Sequence, residues 1–219
     1  TPYLFRPENK AADREYIFRK ASARTGLPAY IIEKDYMVCI ALSLIFDDIK
    51  PQCTEKTDTP FLFKGGTSLS KVYNVINRMS EDIDLSLSMD YLGCPEPEDE
   101  SNSARKRRIK KLTEHGCECV STIIKTCFEK QLSSFHKGFE VLVDPDESQN
   151  LIVNYPRSLN DSDYHNSCIK PHILIETGGR AAFDPHSSHQ ISPIALDEIS
   201  TLLQIDEDCC CIVDVLEQS

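Results

Sequence analysis

Apolar and polar positions change period several times along the chain, and each change marks an element. Residues 10–26 carry a helical pattern, and a second one follows in PAYIIEKDYMVCIALSLIFDD, with Pro28 near its first turn and apolar positions dense enough for a buried face. PQCTEKTDTP, 51–60, is a polar, turn-rich loop, after which FLF enters as a short buried strand. In SLSKVYNVIN, Leu69, Val72, Tyr73 and Ile76 fall at i, i+3, i+4 and i+7, which predicts one helical face. Past the turn Arg78-Met79-Ser80-Glu81 the period becomes two. Ile83, Leu85, Leu87 and Met89 alternate with Asp82, Asp84, Ser86, Ser88 and Asp90, so a half-buried strand is expected with Asp82 and Asp84 on one face. An acidic loop covers 92–102, and a long helix over 103–130 turns Ile109, Leu112, Val120, Ile123, Ile124 and Phe128 inward. Strand patterns follow in GFEVLVD, LIVNYP and CIKPHILIE, and the tail reads helical in LDEISTLLQ and extended in CCIVDVLE. The element string is that of an α+β protein.

Length and composition narrow the class. With 219 residues, 40% hydrophobic and 27% charged, the chain is one globular domain with a substantial core. We divide it into a helical N-terminal part, 1–50, a core sheet over 60–180 and a C-terminal part over 190–219. Its longest apolar run, Met37 to Phe46, falls far short of the roughly 18 residues a membrane span requires. The start, TPYLFRPENK, has neither a basic leader nor an apolar signal core and lacks an initiator Met, so a trimmed chain or a fragment is expected. Ten cysteines scattered through apolar patterns read as reduced thiols of a cytoplasmic protein, and the CxC at 117–119 lacks the second half of a zinc site.

The chemistry concentrates in FLFKGGTSLSKVYNVINRMSEDIDLSLSM, 61–89. A strand that runs through Gly65, Gly66, Thr67 and Ser68 into a helix presents backbone N–H groups to an anion, glycine lets a phosphate come close, and the two hydroxyls can add hydrogen bonds. Taken alone, such glycines are more often a tight structural turn. Asp82 and Asp84 shift the balance, because two carboxylates at i and i+2 on a strand can hold Mg2+ or Mn2+ together with substrate phosphates. A DxD by itself is a solvated strand face. Joined to the glycine turn by one helix, it reads as a nucleotide site. For a third acid we favour Glu176, which ends KPHILIE on the face shared by Lys170, His172 and Leu174, over Asp144, which ends GFEVLVD.

These residues resemble a known family. KGGTSLSKVY (64–73) followed by R-x-SEDIDL (78–85) is similar to the first motif of the AbiEii-like nucleotidyltransferases, toxins of type IV toxin–antitoxin systems within the polymerase-beta superfamily. LPAYIIEKDYMV (27–38) and ILIETGGR (173–180) also look like family segments. The resemblance implies a nucleotidyltransferase-like mixed β-sheet flanked by helices. It implies that Gly65, Gly66, Thr67 and Ser68 cradle an NTP, that Asp82, Asp84 and Glu176 carry metal and catalysis, and that Arg78 and Ser80 order the turn or the phosphates. Glu33, Lys34 and Asp35 match the upstream segment, where we expect a structural role, since such clusters on helices are usually solvated or ion-paired. Relatives continue into a helical region with a further lysine and acidic motif where this chain stops at VLEQS, so its C-terminal part is expected to be truncated.

The leading expectation is therefore Mg2+-dependent transfer of a nucleoside monophosphate from an NTP to an acceptor hydroxyl, with tRNA favoured over protein and a cognate antitoxin as partner. A catalytically incomplete nucleotide- or partner-binding remnant is the alternative, and a nuclease using the same carboxylates ranks below both. A net charge of −11 excludes a nonspecific nucleic-acid coat, but RKRRIKK gathers Arg105, Arg107, Arg108, Lys110 and Lys111, with Lys106, into a local basic surface for RNA. A solvated helix face is the competing account of that run.

Overall fold

A computed structural model describes residues 3–6, 9–73, 82–164, 170–179, 183–204 and 211–217. In chain order the elements are α1 (Ala11–Thr25), α2 (Ala29–Ser43), β1 (Phe61–Lys64), α3 (Gly65–Lys71), β2 (Asp82–Leu87), α4 (Asn102–Glu118), α5 (Lys125–Phe135), β3 (Glu140–Val143), β4 (Asn150–Asn154), α6 (Asp161–Tyr164), β5 (His172–Gly178), β6 (His186–Ile191), α7 (Leu196–Leu203) and β7 (Cys211–Leu216). One π-helical turn, Leu44–Ile49, extends α2, and another, Cys119–Ile124, joins α4 to α5, so the expected helix over 103–130 runs on to Phe135. Among the described residues no helix is long and apolar enough to cross a membrane.

The strands form one mixed sheet of order β3-β4-β5-β2-β1-β7-β6, flanked by helices as the resemblance implied. β2 runs parallel to β5 and β1 parallel to β7, and the other neighbours are antiparallel. Alternation sorts the two faces. Phe63 stands opposite Leu85 and Val215, Ile83 opposite Ile175, and Ile175 opposite Leu151, so these fully buried side chains share one face and join the core beneath α2. The opposite face carries Asp82, Asp84 and Glu176.

The sheet extends beyond the expected 60–180 span, because β6, most of which precedes the expected C-terminal part, and β7, which lies within it, join its edge. β6, HSSHQI, has no apolar alternation to announce it. It is an edge strand held by six antiparallel pairs to β7, and an edge needs backbone partners more than it needs an apolar face. Helix α3 also differs from expectation: it begins at Gly65 rather than among the serines and leaves only Val72 and Tyr73 of its predicted face packed on the core, while Ile76 lies outside the described residues.

α2 is apolar nearly all round because it is buried from Ile32 to Ser43. Within it sit Glu33, Lys34 and Asp35, only 0%, 1% and 4% exposed, so the solvated alternative for this cluster is excluded. Burying three consecutive charges is costly unless each is paired, and each reaches a different segment. Glu33 accepts hydrogen bonds from the Ser158 N–H (2.6 Å) and the Tyr164 hydroxyl (2.5 Å). Lys34 Nζ donates to the Lys170 carbonyl at 3.1 Å. Asp35 pairs with Lys71 of α3 at 2.7 Å and accepts from the Ile194 N–H at 2.7 Å. Burial pulls the Lys71 ammonium down, but the adjoining Asp35 carboxylate reverses that pull and holds it above the ordinary lysine range.

Asp35→Asn leaves the Lys71 ammonium buried without its counter-charge, and urea denaturation is expected to show a loss of about 3–5 kcal/mol. Asp35→Leu combined with Lys71→Met, which removes both charges, should recover most of that loss.

Candidate active site

Three strands assemble the site by register. β2 lies between β1 and β5, with Asp84 opposite Lys64 on one side and opposite Glu176 on the other. Asn150 of β4 is opposite Glu176 in turn, so Lys64, Asp84, Glu176 and Asn150 form one polar row across four strands on the face away from α2. Asp82 precedes Asp84 by two residues and shares its face. Asp144 follows β3 and donates its N–H to the Asn150 carbonyl at 2.9 Å, which puts it at the far end of the row, beyond Asn150. Of the two candidate third acids, Glu176 is the one beside Asp84.

The electrostatics follow from this crowding. Partial burial pushes the Asp84 carboxyl up and Asp82 adds to the push, while Lys64 opposes it. Burial, then Asp84, then Asp82 push Glu176 up, again against Lys64. Three like charges on adjacent positions, moderated by one lysine, are a patch that a hard cation would relieve, and carboxylate oxygens suit Mg2+ or Mn2+. Among the described residues no three His, Cys, Asp or Glu side chains converge closely enough to hold an ion unaided, so substrate phosphates would have to complete the coordination.

The glycine turn adjoins the row. Gly65 has φ of +73°, and a Cβ there would lie 1.9 Å from Asp84 Oδ2, so the Asp84 carboxylate rests on the bare Gly65 backbone. Close approach at Gly65 is thus already used within the protein. Thr67 and Ser68 are both buried, the Thr67 hydroxyl donates to the Asp82 carbonyl, and the Ser68 hydroxyl donates to the Gly65 carbonyl at 2.8 Å. The Thr67 hydroxyl braces the turn against β2, and the Ser68 hydroxyl closes the turn on itself. Arg78 and Ser80 lie outside the described residues.

A cleft of about 510 Å3 opens beside the row, lined by Lys64, Leu112, Thr113, Glu147, Gln149, Gly178 and Gly179. It shares Lys64 with the row, and Gly178 follows Glu176 by two residues on the same strand. Sequence reasoning assigned no role to Lys64 or Asn150. A charge ending an apolar strand directly before a glycine turn was a usable signal for Lys64; nothing local marked Asn150. Of the basic run, Arg108 is withdrawn from solvent, bound by Glu100 and Glu96 at 3.0 and 2.9 Å, whereas Arg105, Lys106, Arg107, Lys110 and Lys111 are exposed.

Asp84→Asn removes repulsion from the row. Without divalent cations at neutral pH, the melting temperature is expected to rise by about 2–4 °C. Because Asp84 and Glu176 bind protons more readily folded than unfolded, their carboxyls favour the fold when protonated. That contribution is lost as pH climbs from the ordinary carboxylate range through the raised folded values. The advantage of Asp84→Asn should accordingly shrink as the pH is lowered through that window, which thermal melts across pH would test.

Against known proteins, residues 53–207 match the family model described as the nucleotidyl transferase AbiEii toxin of type IV toxin–antitoxin systems. No curated protein matches the sequence. Among solved structures, MenT4, the nucleotidyltransferase toxin Rv2826c from Mycobacterium tuberculosis H37Rv, is similar at a TM-score of 0.44 and 20% identity, covering 94% of this chain and 55% of that one. The chain spans about half the length of that protein.

Proposed function

The chain belongs to the AbiEii nucleotidyltransferase toxin family, and from that premise we propose that it transfers a nucleoside monophosphate from an NTP to an acceptor hydroxyl. The observation that carries this reading is the row of Lys64, Asp84 and Glu176 beside the Gly65 turn. The backbone N–H groups at the start of α3 receive the triphosphate, Gly66 allows close approach, and Lys64 offsets the charge that phosphates and carboxylates accumulate. Arg78 and Ser80 complete the nucleotide site, as the family motif implies. Asp82, Asp84 and Glu176, together with substrate phosphates, would hold a divalent cation, Mg2+ or Mn2+, which would supply charge neutralisation at the transferring phosphoryl group. The acceptor hydroxyl gives up its proton to the medium as its oxygen bonds to the α-phosphorus, the bond from that phosphorus to the oxygen bridging it to the β-phosphorus breaks, and pyrophosphate leaves.

The acceptor we favour is tRNA, received along the basic α4, with a protein hydroxyl as the other candidate. The setting is the cytoplasm, and a cognate antitoxin is the regulatory partner that such a toxin requires.

Incubating the protein with each of the four α-labelled NTPs, Mg2+ and total tRNA should place label in RNA, and Asp82→Ala/Asp84→Ala should abolish it. Label in protein would move the acceptor assignment, and NTP binding with no transfer by any nucleotide would replace the enzyme by a binding module. Gly66→Val is expected to abolish NTP binding with little change in thermal stability, read by nucleotide titration beside a thermal melt; retained affinity would remove the glycine turn from the site.

A further inference from the structure

The six basic residues of 105–111 do not share one surface, and the helix phase of α4 separates them. Residues three, four and seven apart lie on one helix face. Thr113 lines the cleft on one flank of the buried Leu112, so Lys106, seven residues before Thr113, and Lys110, three before it, stand on the cleft side, while Arg105, seven before Leu112, lies on the line between the two flanks. Cys117, four past Thr113, confirms the direction of this flank: burial raises its thiol and the nearby Glu147, a residue of the opposite cleft wall, raises it further. Gly116 likewise faces Gln149 of that wall.

The opposite flank of α4 packs on the segment after β2. There His115 Nδ1 meets the Leu92 carbonyl at 2.7 Å, and Arg108 is enclosed by Glu96, Glu100 and the Met89 sulfur. Arg108 thereby neutralises part of the acidic loop and ties it to this flank of α4. Arg107 and Lys111 project from the outer side, where Glu114 and Glu118 also lie on the helix surface. Lys106 has no described acid as partner, and Lys110 has only the loose, highly exposed contact with Glu114 at 3.7 Å.

We infer that Lys106 and Lys110 form a basic rim that receives the phosphate backbone of the acceptor RNA and leads it over the cleft toward Lys64 and the carboxylate row, while Arg107, Arg108 and Lys111 take no part. This assignment rests on the RNA-acceptor reading above. The track keeps to the α4 side, since the far wall contributes Glu147. In a chain of net charge −11, a narrow rim of this kind directs a polyanion to one place instead of coating the surface.

The test compares two variants that remove equal charge, Lys106→Ala/Lys110→Ala and Arg107→Ala/Lys111→Ala, by binding of total tRNA across a KCl series. The first should weaken binding about five- to twentyfold near physiological salt and reduce the salt slope by about one per lysine, with the second close to wild type. Equal losses in both variants, or a larger loss in the second, would overturn the rim. A wild-type protein that binds no tRNA at any salt would also overturn it, together with the RNA-acceptor reading, whereas NTP titration of the same samples reports on the nucleotide site independently. Intact NTP binding with no difference between the variants sinks the rim alone.

Discussion

Everything proposed for this chain depends on β2 lying between β1 and β5. An antiparallel neighbour on one side and a parallel neighbour on the other bring residues from 64, 84 and 176 into lateral register, although they are far apart in sequence. A one-residue slip of β2 would turn Asp82 and Asp84 into the apolar face and Ile83 and Leu85 out of it. The hydrophobic effect that seats Ile83 and Leu85 beneath α2 is therefore the same force that aims the carboxylates outward. Core packing and site geometry are two faces of one alternation.

α2 makes that alternation rigid. Its buried Glu33, Lys34 and Asp35 bind the segments at 158–164, at 170 and at 71 and 194, which include the end of α3 and the approach to β5. Apolar packing tolerates some sliding, but charge-assisted hydrogen bonds in a low-dielectric interior specify partners and distances. Asp35 and Lys71 hold the far end of α3, and Thr67 holds its near end to β2. The glycine turn is thus braced at both ends, as a site that must present backbone amides in fixed positions requires.

What could be read from the sequence were features that repeat locally. The switch from helical to two-residue period placed Asp82 and Asp84 together on a strand, and the apolar run of KPHILIE exposed Glu176 as an acid out of keeping with its neighbours. The order of strands could not be read, because pairing partners are non-local, and so Lys64 and Asn150 went unassigned until register set them beside the carboxylates. β6 escaped because an edge strand carries no apolar signature. The bracing bonds of the Thr67 and Ser68 hydroxyls could not be read for a similar reason: which groups a turn side chain meets depends on what packs beside it. The structural role expected of the EKD cluster was legible, but its burial was not, because composition alone does not reveal that its helix is surrounded.

The charge distribution ties these parts together. A strongly acidic chain that gathers three carboxylates in one row is poorly suited, on average, to approach either an NTP or an RNA, since both are polyanions. Local arrangement has to reverse that average. Lys64 does so inside the row, where it opposes the shifts of both Asp84 and Glu176. Arg108 does so indirectly, by spending its own charge on Glu96 and Glu100 so that the neighbouring acidic loop is tied to the far flank of α4. The remaining repulsion in the row is destabilising in the free protein, and under the proposed function it would also favour a cation that arrives with the nucleotide. Such a site would be most comfortable only with metal and nucleotide present together, so the stability given up in the row would be recovered on binding.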